Sequence, residues 1–218
     1  MERFFIFDKF NTWYNWRLIL TAKDVTPPEP KTNYVDIDGM NGSLDLSESL
    51  TGEITYKDRT ISASFWTDNG SFKDRSDLLR EIVTALHGKK IKIIEPDDPK
   101  HYFYGRVNVK ALNNILPYAT FTIEATCEPW RYSIADIERT IDIKNNDMVN
   151  VVINNRGVKT VIPTITVKGS INIIVNNTKL TLIDGVYKFS DFKFYRGVNV
   201  VDISGNGSVT FTYKEAEL

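Results

Sequence analysis

Between Arg59 and Cys127 the hydrophobic period changes twice, and this constrains the fold more than any other stretch. In Arg59–Trp66, Ile61, Ala63 and Phe65 fall on one face and Thr60, Ser62 and Ser64 on the other. Period two is the mark of a half-buried strand. The period then lengthens: Leu78, Leu79, Ile82, Val83 and Leu86 recur at the spacing of one stripe of an amphipathic helix. Ser71 and Asp74 stand at capping-box spacing, with Asp a shorter arm than the usual Glu. Gly88 supplies the left-handed residue that a helix end often takes. A helix is therefore expected over 71–87, the only convincing one in the chain. Lys89–Glu95 and His101–Val109 read as strands joined by Pro96-Asp97-Asp98-Pro99, which cannot continue a ladder. In Ala119–Glu128 period two returns, with Phe121, Ile123, Ala125 and Cys127 on one face. Pro129 is expected to end that strand.

The segments before Arg59 are less regular. Arg3–Phe7 reads as a strand, Asp8–Asn15 as a turn near Trp13 and Trp16, and Arg17–Ala22 as a second strand. Asp24–Lys57 holds Pro27, Pro28 and Pro30, then Gly39, Gly42 and Gly52, with few sustained alternations. It reads as an extended arm with short strand pieces, and loops of this length are usually functional or mobile. Lys110–Pro117 reads as a connection that bends at Asn113-Asn114.

After Tyr132 the chain becomes rich in Val, Ile, Thr and Asn. Turn signals recur at Asn145-Asn146, Asn154-Asn155, Gly169, Asn176-Asn177, Asp184-Gly185, Gly197 and Gly205-Asn206-Gly207. Between them lie short β-rich runs: Asp136–Ile143, Asn150–Ile153, Val161–Val167, Ile171–Val175, Lys179–Leu182, Phe192–Phe194, Asn199–Ile203 and Ser208–Tyr213. Many short strands so spaced describe a β-sandwich. Ile134–Asp147 reads as the hinge. The expected organisation is mainly β: residues 1–133 as a β-sandwich-like domain with one packed α-helix, and 134–218 as a second β-sandwich. Of four Asn-X-Ser/Thr triplets, those at Asn41, Asn69 and Asn206 are Asn-Gly pairs, which favour positive-φ hairpin turns; the fourth, at Asn176, also reads as a turn.

Charge and residue usage exclude several classes. Lys and Arg total 27 against 28 for Asp and Glu, so no global basic face for gripping nucleic acid is indicated. One cysteine and two histidines leave no disulfide framework and no zinc set. The N-terminus lacks a signal-peptide pattern, and no run reaches membrane-spanning length, so folding in a cytoplasm with no membrane insertion is expected. The carboxylates Glu95, Asp97 and Asp98 cluster on a Pro-flanked turn and do not face one another as a glycosidase pair would; a solvated tip is the plainer reading. His87, in the last helical turn, suits the helix dipole as a cation, and His101 begins a strand; neither has a Ser or Cys partner. Cys127 falls in the buried register, unlike a catalytic thiol. Lys89, Lys90 and Lys92 form the one compact basic run, read as a solvated face or an edge guard. Trp13, Trp16, Trp66 and Trp130 suit packing or protein contact. No catalytic, cofactor-binding or metal residue is assigned, and no enzyme activity is expected.

Quoted in order, the strand Arg59–Trp66, the helix ending Leu86-His87-Gly88, the Asp97-Asp98-Pro99 turn, the aromatics before Gly105-Arg106-Val107 and the exit Cys127–Tyr132 resemble the N-terminal domain of the distal tail proteins of long-tailed phages. Asn154-Asn155-Arg156-Gly157 before Val161-Ile162-Pro163-Thr164-Ile165, and Phe194-Tyr195-Arg196-Gly197-Val198-Asn199, resemble the galectin-like C-terminal domain of the same family. The resemblance implies a structural virion protein of the tail tip or baseplate, made in the host cytoplasm. It implies a homo-oligomeric ring, typically a hexamer, of N-terminal domains around a channel for DNA passage, with the C-terminal domains outward. The major tail tube protein would dock above, a tail-fibre or tail-lysin protein below, and a receptor-binding protein at the side, serving host attachment. The long-member insertion in the second domain is missing here, which weakens direct sugar binding. The Asp24–Lys57 arm is expected to reach a neighbouring subunit or the tube, so that deleting Pro27–Asn33 would abolish the ring. The rival reading is a carbohydrate-binding module or adhesin, with Tyr187, Tyr195 and Tyr213 as platform candidates. A third, an enzyme on cell-wall glycans, lacks a facing carboxylate pair.

Overall fold

The computed structural model describes residues 3–67, 70–110, 113–115, 118–176 and 178–218, with backbone only for 113–115. The chain is mainly β. It divides into two compact units, Met1–Arg131 with Leu218, and Tyr132–Glu217.

The first unit begins with β1 (Ile6–Phe7) and β2 (Phe10–Asn11), a hairpin turned by Asp8 at φ 56°. The expected turn over Asp8–Asn15 instead holds β2 and a short helix, α1 (Thr12–Trp16). The Asn11 side chain caps it, accepting from the N–H groups of Trp13 and Tyr14. Five residues are too few to display a helical period, so the cap was its only sequence mark. Then follow β3 (Ile19–Val25), β4 (Tyr34–Asp36), β5 (Ser43–Asp45), β6 (Arg59–Thr67), α2 (Phe72–Leu86), β7 (Lys90–Ile94), β8 (His101–Val109), β9 (Asn113–Ile115) and β10 (Tyr118–Ser133). The main sheet runs β2-β1-β7-β8-β10-β6-β3. Ile61, Ala63, Phe65, Phe121, Ile123, Ala125 and Cys127 all turn inward as the alternation predicts, onto a core that α2 closes with Ile82 and Leu86. Each large side chain so buried contributes about 1.5–3 kcal/mol.

The capping box of α2 is complete. Asp74 N–H donates to Ser71 Oγ, and the Asp74 carboxylate accepts from Ser71 N–H at 2.7 Å. Gly88 sits at φ +75° beyond the helix end, and Lys89 Nζ donates to the Thr84 and Ala85 carbonyls that the helix leaves unpaired. Two further expectations fail in this unit. β10 continues through Pro129, because its register with β6 ends at Cys127↔Arg59, and beyond it no ladder N–H is required on that side. Asn113 and Asn114 are not a bend; they lie in β9, opposite Thr120 and Ala119. The rest of that connection, 111, 112, 116 and 117, lies outside the described residues, as do Asp68, Asn69 and Asn177 of the expected turns.

The second unit is a sandwich made by folding one sheet. Its strands are β11 (Ile137–Ile143), β12 (Val149–Asn155), β13 (Thr164–Val175), β14 (Thr178–Leu182), β15 (Gly185–Tyr187) and β16 (Gly197–Tyr213). β13 pairs along its whole length with residues 201–212 of β16. One half is β11-β16-β13-β15 and the other β12-β16-β13-β14. The corner is glycine: Gly169, Gly205 and Gly207 have φ of +95°, +129° and +139°, and Gly169 lies opposite Gly207. A Cβ on any of them would run into the facing strand's carbonyl oxygens, those of Asn206, Ser170 and Lys168. Gly169 and Gly205-Asn206-Gly207 are thus not turns, as expected, but the crease across two continuous strands. Odd-numbered residues stay inward on both sides of it, from Ile165 to Val175 and from Val201 to Tyr213, so both halves line one core with Phe192 and Phe194. Phe192–Phe194 is likewise not a strand; Phe194 makes only an isolated bridge to Val161. Within Ile134–Asp147, β11 pairs with β16 over its full length. Asn145 and Asn146, both at φ 58°, do form the turn the sequence marks.

Candidate interaction surfaces

The acidic turn after β7 is a clasp rather than a solvated tip. The sheet of the first unit curls until Lys23, on the far edge strand β3, meets Glu95 and Asp97. Arg3 donates to both oxygens of Asp97 at 2.6 Å, and Asp98 takes His101 at 2.9 Å and Arg131 at 3.1 Å. Hydrogen bonds from Lys23 and then Arg3 hold the Asp97 carboxyl below its ordinary range. Burial works against the charged form of Asp98, but the His101 and Arg131 contacts outweigh it and its pKa also falls. For Lys23, burial opposes the ammonium, and the Asp97 and Glu95 contacts prevail to raise it. Glu95 is buried, and the clasp ties the edge strand β3 to the turn that follows β7.

The other candidates are also consumed by structure. Lys89 caps α2, Lys90 pairs with Glu128 at 2.8 Å and lies over Tyr104, and Lys92 lies over Tyr102. The three lysines are exposed, as a solvated face requires, and each also has a partner on the protein surface. His87 is the C-cap residue of α2, and its Nδ1 accepts from Val109 N–H at 3.2 Å. An open cleft of about 700 Å³ is lined by His87, Lys90, Arg106, Asp58, Thr126 and Glu128. Two of its cations are engaged, Lys90 by Glu128 and Arg106 by the Gly88 carbonyl. Cys127 is fully buried, and loss of solvation pushes its thiol up to about 12. Gly105 lies so close over Cys127 that a side chain there would strike Sγ. Among the described residues no group of His, Cys, Asp or Glu is placed to hold a metal ion, and no helix is long and apolar enough to cross a membrane.

Most of the aromatic candidates are engaged within the fold. Trp16 is buried, stacked on Phe10, and its Nε1 donates to Glu81 of α2 at 2.9 Å. Trp66 meets Tyr118 edge-on and Trp130 meets Tyr56. Tyr213 is core, and the Tyr187 hydroxyl donates to the Ile183 carbonyl while its ring stacks on Phe189. Of the three tyrosines only Tyr195 stands exposed.

The arm is different. Pro28 is buried, but every residue from Glu29 to Asp45 is exposed. A short ladder joins Glu29–Lys31 to Thr55–Lys57, and β4 and β5 form a separate two-stranded sheet beyond it. Tyr34, Val35, Ile37, Met40, Leu44, Leu50 and Ile54 all face solvent, Leu50 at 98%. A lone two-stranded hairpin is marginal in water, and a run of exposed apolar residues marks a surface for another molecule. The proline and glycine content located the arm in the sequence; the solvent-facing register of its apolar residues was not readable there.

A family model, the phage tail protein RIFT-related domain, matches residues 17–127, from the end of α1 to the inner face of β10. The chain belongs to this family of phage tail proteins. Its fold is that of a Dit-like distal tail protein: the SPP1 Dit protein, described as a hub of the adsorption apparatus in phages that infect Gram-positive bacteria, superposes with a TM-score of 0.71 at 15% identity. Each chain is covered to 99%. A chain of the phage p2 baseplate in its activated conformation aligns with a TM-score of 0.46 at 9% identity over 98% of each chain. Curated proteins yield no match. The tail protein's two galectin-like motifs are structural. Asn155 is fully buried, donating to the Lys159 and Phe194 carbonyls and accepting from Gly157 N–H. Asn199 accepts from Tyr195 N–H and donates to the Tyr195 and Gly197 carbonyls. Both tie loops to the sandwich, so the motifs identify a fold and not a binding site.

Proposed function

We propose that this tail protein is a ring-forming hub at the virion tail tip, with the arm of each subunit seated on its neighbour. The supporting observation is the exposed apolar hairpin, unpacked in the single chain and carried by a member of a phage tail family. A ring needs one surface of each subunit to fit a different surface of the next, and a projecting arm supplies the first. The ring is a hexamer around a channel for DNA in transit; a net charge of −1 suits weak contact with a passing polyanion. The tail tube protein docks above, the tail-fibre or tail-lysin protein below, and a receptor-binding protein at the side.

The test is to excise the hairpin. Asn33 O already accepts from Leu46 N–H at 2.8 Å, so removing Tyr34–Asp45 and joining these two residues leaves the unit's core intact. Deletion of Pro27–Asn33 is the poorer choice, because it takes out the buried Pro28. Light scattering after size exclusion should give a multiple of about six chains for the intact protein and a folded, ring-less species for the excised one. A stable ring without the hairpin refutes the arm's role.

A further inference from the structure

The edges of the two sheets are guarded, with one exception. In the first unit the sheet ends in β2, two residues long, and in β3, which carries Lys23, Asp24 and a register shift between Leu20 and Ala22. In the second unit one side ends in the three-residue β15 and in β14, which carries Lys179; the other side ends in β11 and β12. β11 carries Glu138, Arg139 and Asp142. Short length, charge and bulges are the devices that keep an edge from pairing with another chain. β12 has none of them. It reads Val149-Asn150-Val151-Val152-Ile153-Asn154-Asn155, and its register with β16 runs unbroken. Among the described residues no strand pairs its other edge. The face beside it is apolar too: Val152, 53% exposed, lies opposite Val200, with Val198 two residues along.

The five central residues are chemically alike in both directions, with Ile153 answering to Val151: Asn150, Val151, Val152, Ile153, Asn154. An antiparallel strand of the same sequence, centred on Val152, sets Asn150 against Asn154, Val151 against Ile153, and Val152 against itself. Amide meets amide and branched side chain meets branched side chain. We propose that β12 pairs with β12 of a second copy about a two-fold axis at Val152, joining two sandwiches through one continuous sheet. Val200, Val152 and their counterparts then form a single apolar row across the seam. This contact is isologous and the proposed ring contact heterologous, so it goes beyond the ring and does not depend on it.

The experiment uses the full chain. Residues directly opposite in an antiparallel pair have Cα atoms about 4.5–5.5 Å apart, within disulfide reach. Under mild oxidation Val152→Cys should give a covalent dimer on a non-reducing gel. Val186→Cys, more exposed but on β15, should not, and buried Cys127 stays out of the reaction. Val152→Lys sets two ammonium groups face to face at the seam and should halve the mass measured by light scattering, with an unchanged melting temperature showing that it folds. Equal cross-linking of the two cysteine variants, or a mass unmoved by Val152→Lys, overturns the proposal. The Val152→Cys cross-link should persist when the arm hairpin is excised, so failure of the ring and failure of the seam are read separately.

Discussion

At the scale of single residues, the decisive positions are those where backbone meets backbone. Gly207 holds a φ that a β-branched residue cannot adopt without strain, and its missing Cβ makes room for the Lys168 carbonyl. Gly207→Val should therefore destabilise the second unit by at least about 2 kcal/mol, seen as a lowered urea midpoint in far-ultraviolet circular dichroism. In the sequence this glycine, beside Asn206, carries the mark of a hairpin turn. The conformation predicted was of the right kind, a positive φ, but its use was not: what bends there is a pair of long strands. Cys127 shows the opposite case. Its place in the alternation of β10 already said buried and inert, and the core position agrees.

At the scale of elements, α2 was readable because several independent local signals coincide: an apolar stripe, a cap and a terminal glycine. The stripe is buried only in part, with Val83 left 36% exposed. The capping box makes a further expectation quantitative. Ser71→Ala removes the oxygen that takes Asp74 N–H and should cost about 1 kcal/mol, measured as a drop in denaturation midpoint with an unchanged slope. α1 and β9 were missed because they are too short for any period to emerge. The arm was located by its prolines and glycines, yet its paired strands β4 and β5 rest on a register that local composition does not encode.

At the scale of the whole molecule, the clasp and the buried thiol set how stability depends on pH. Asp97 and Asp98 are held below the ordinary aspartate value of 3.8. Their contribution is complete above that value and is lost as pH falls through the lower folded values. Cys127 is raised from 9.0 to about 12, so the stability tied to its neutral form is complete below pH 9 and is lost as pH rises toward 12. A plot of melting temperature against pH should fall at both ends. Asp97→Asn should flatten the acid limb and Cys127→Ala the alkaline one; limbs unmoved by these changes would place the titrating groups elsewhere.

By itself the sequence determined what depends on neighbours along the chain. That covers the period-two strands, the one long helix with its caps, the β character of both halves and the order of motifs that resembles a tail protein. Only the tertiary structure decided what depends on residues distant in sequence. Glu95, Asp97 and Asp98 become a clasp because Lys23, Arg3 and Arg131 are brought to them by the curl of the sheet. Gly169 and Gly207 become a crease because the register sets them face to face. The arm's apolar side chains and the β12 edge become surfaces because nothing else in the described chain folds over them. A hydrophobic period states that a residue has an inside to face; which residues supply that inside, and which faces are left without one, follows from long-range pairing alone.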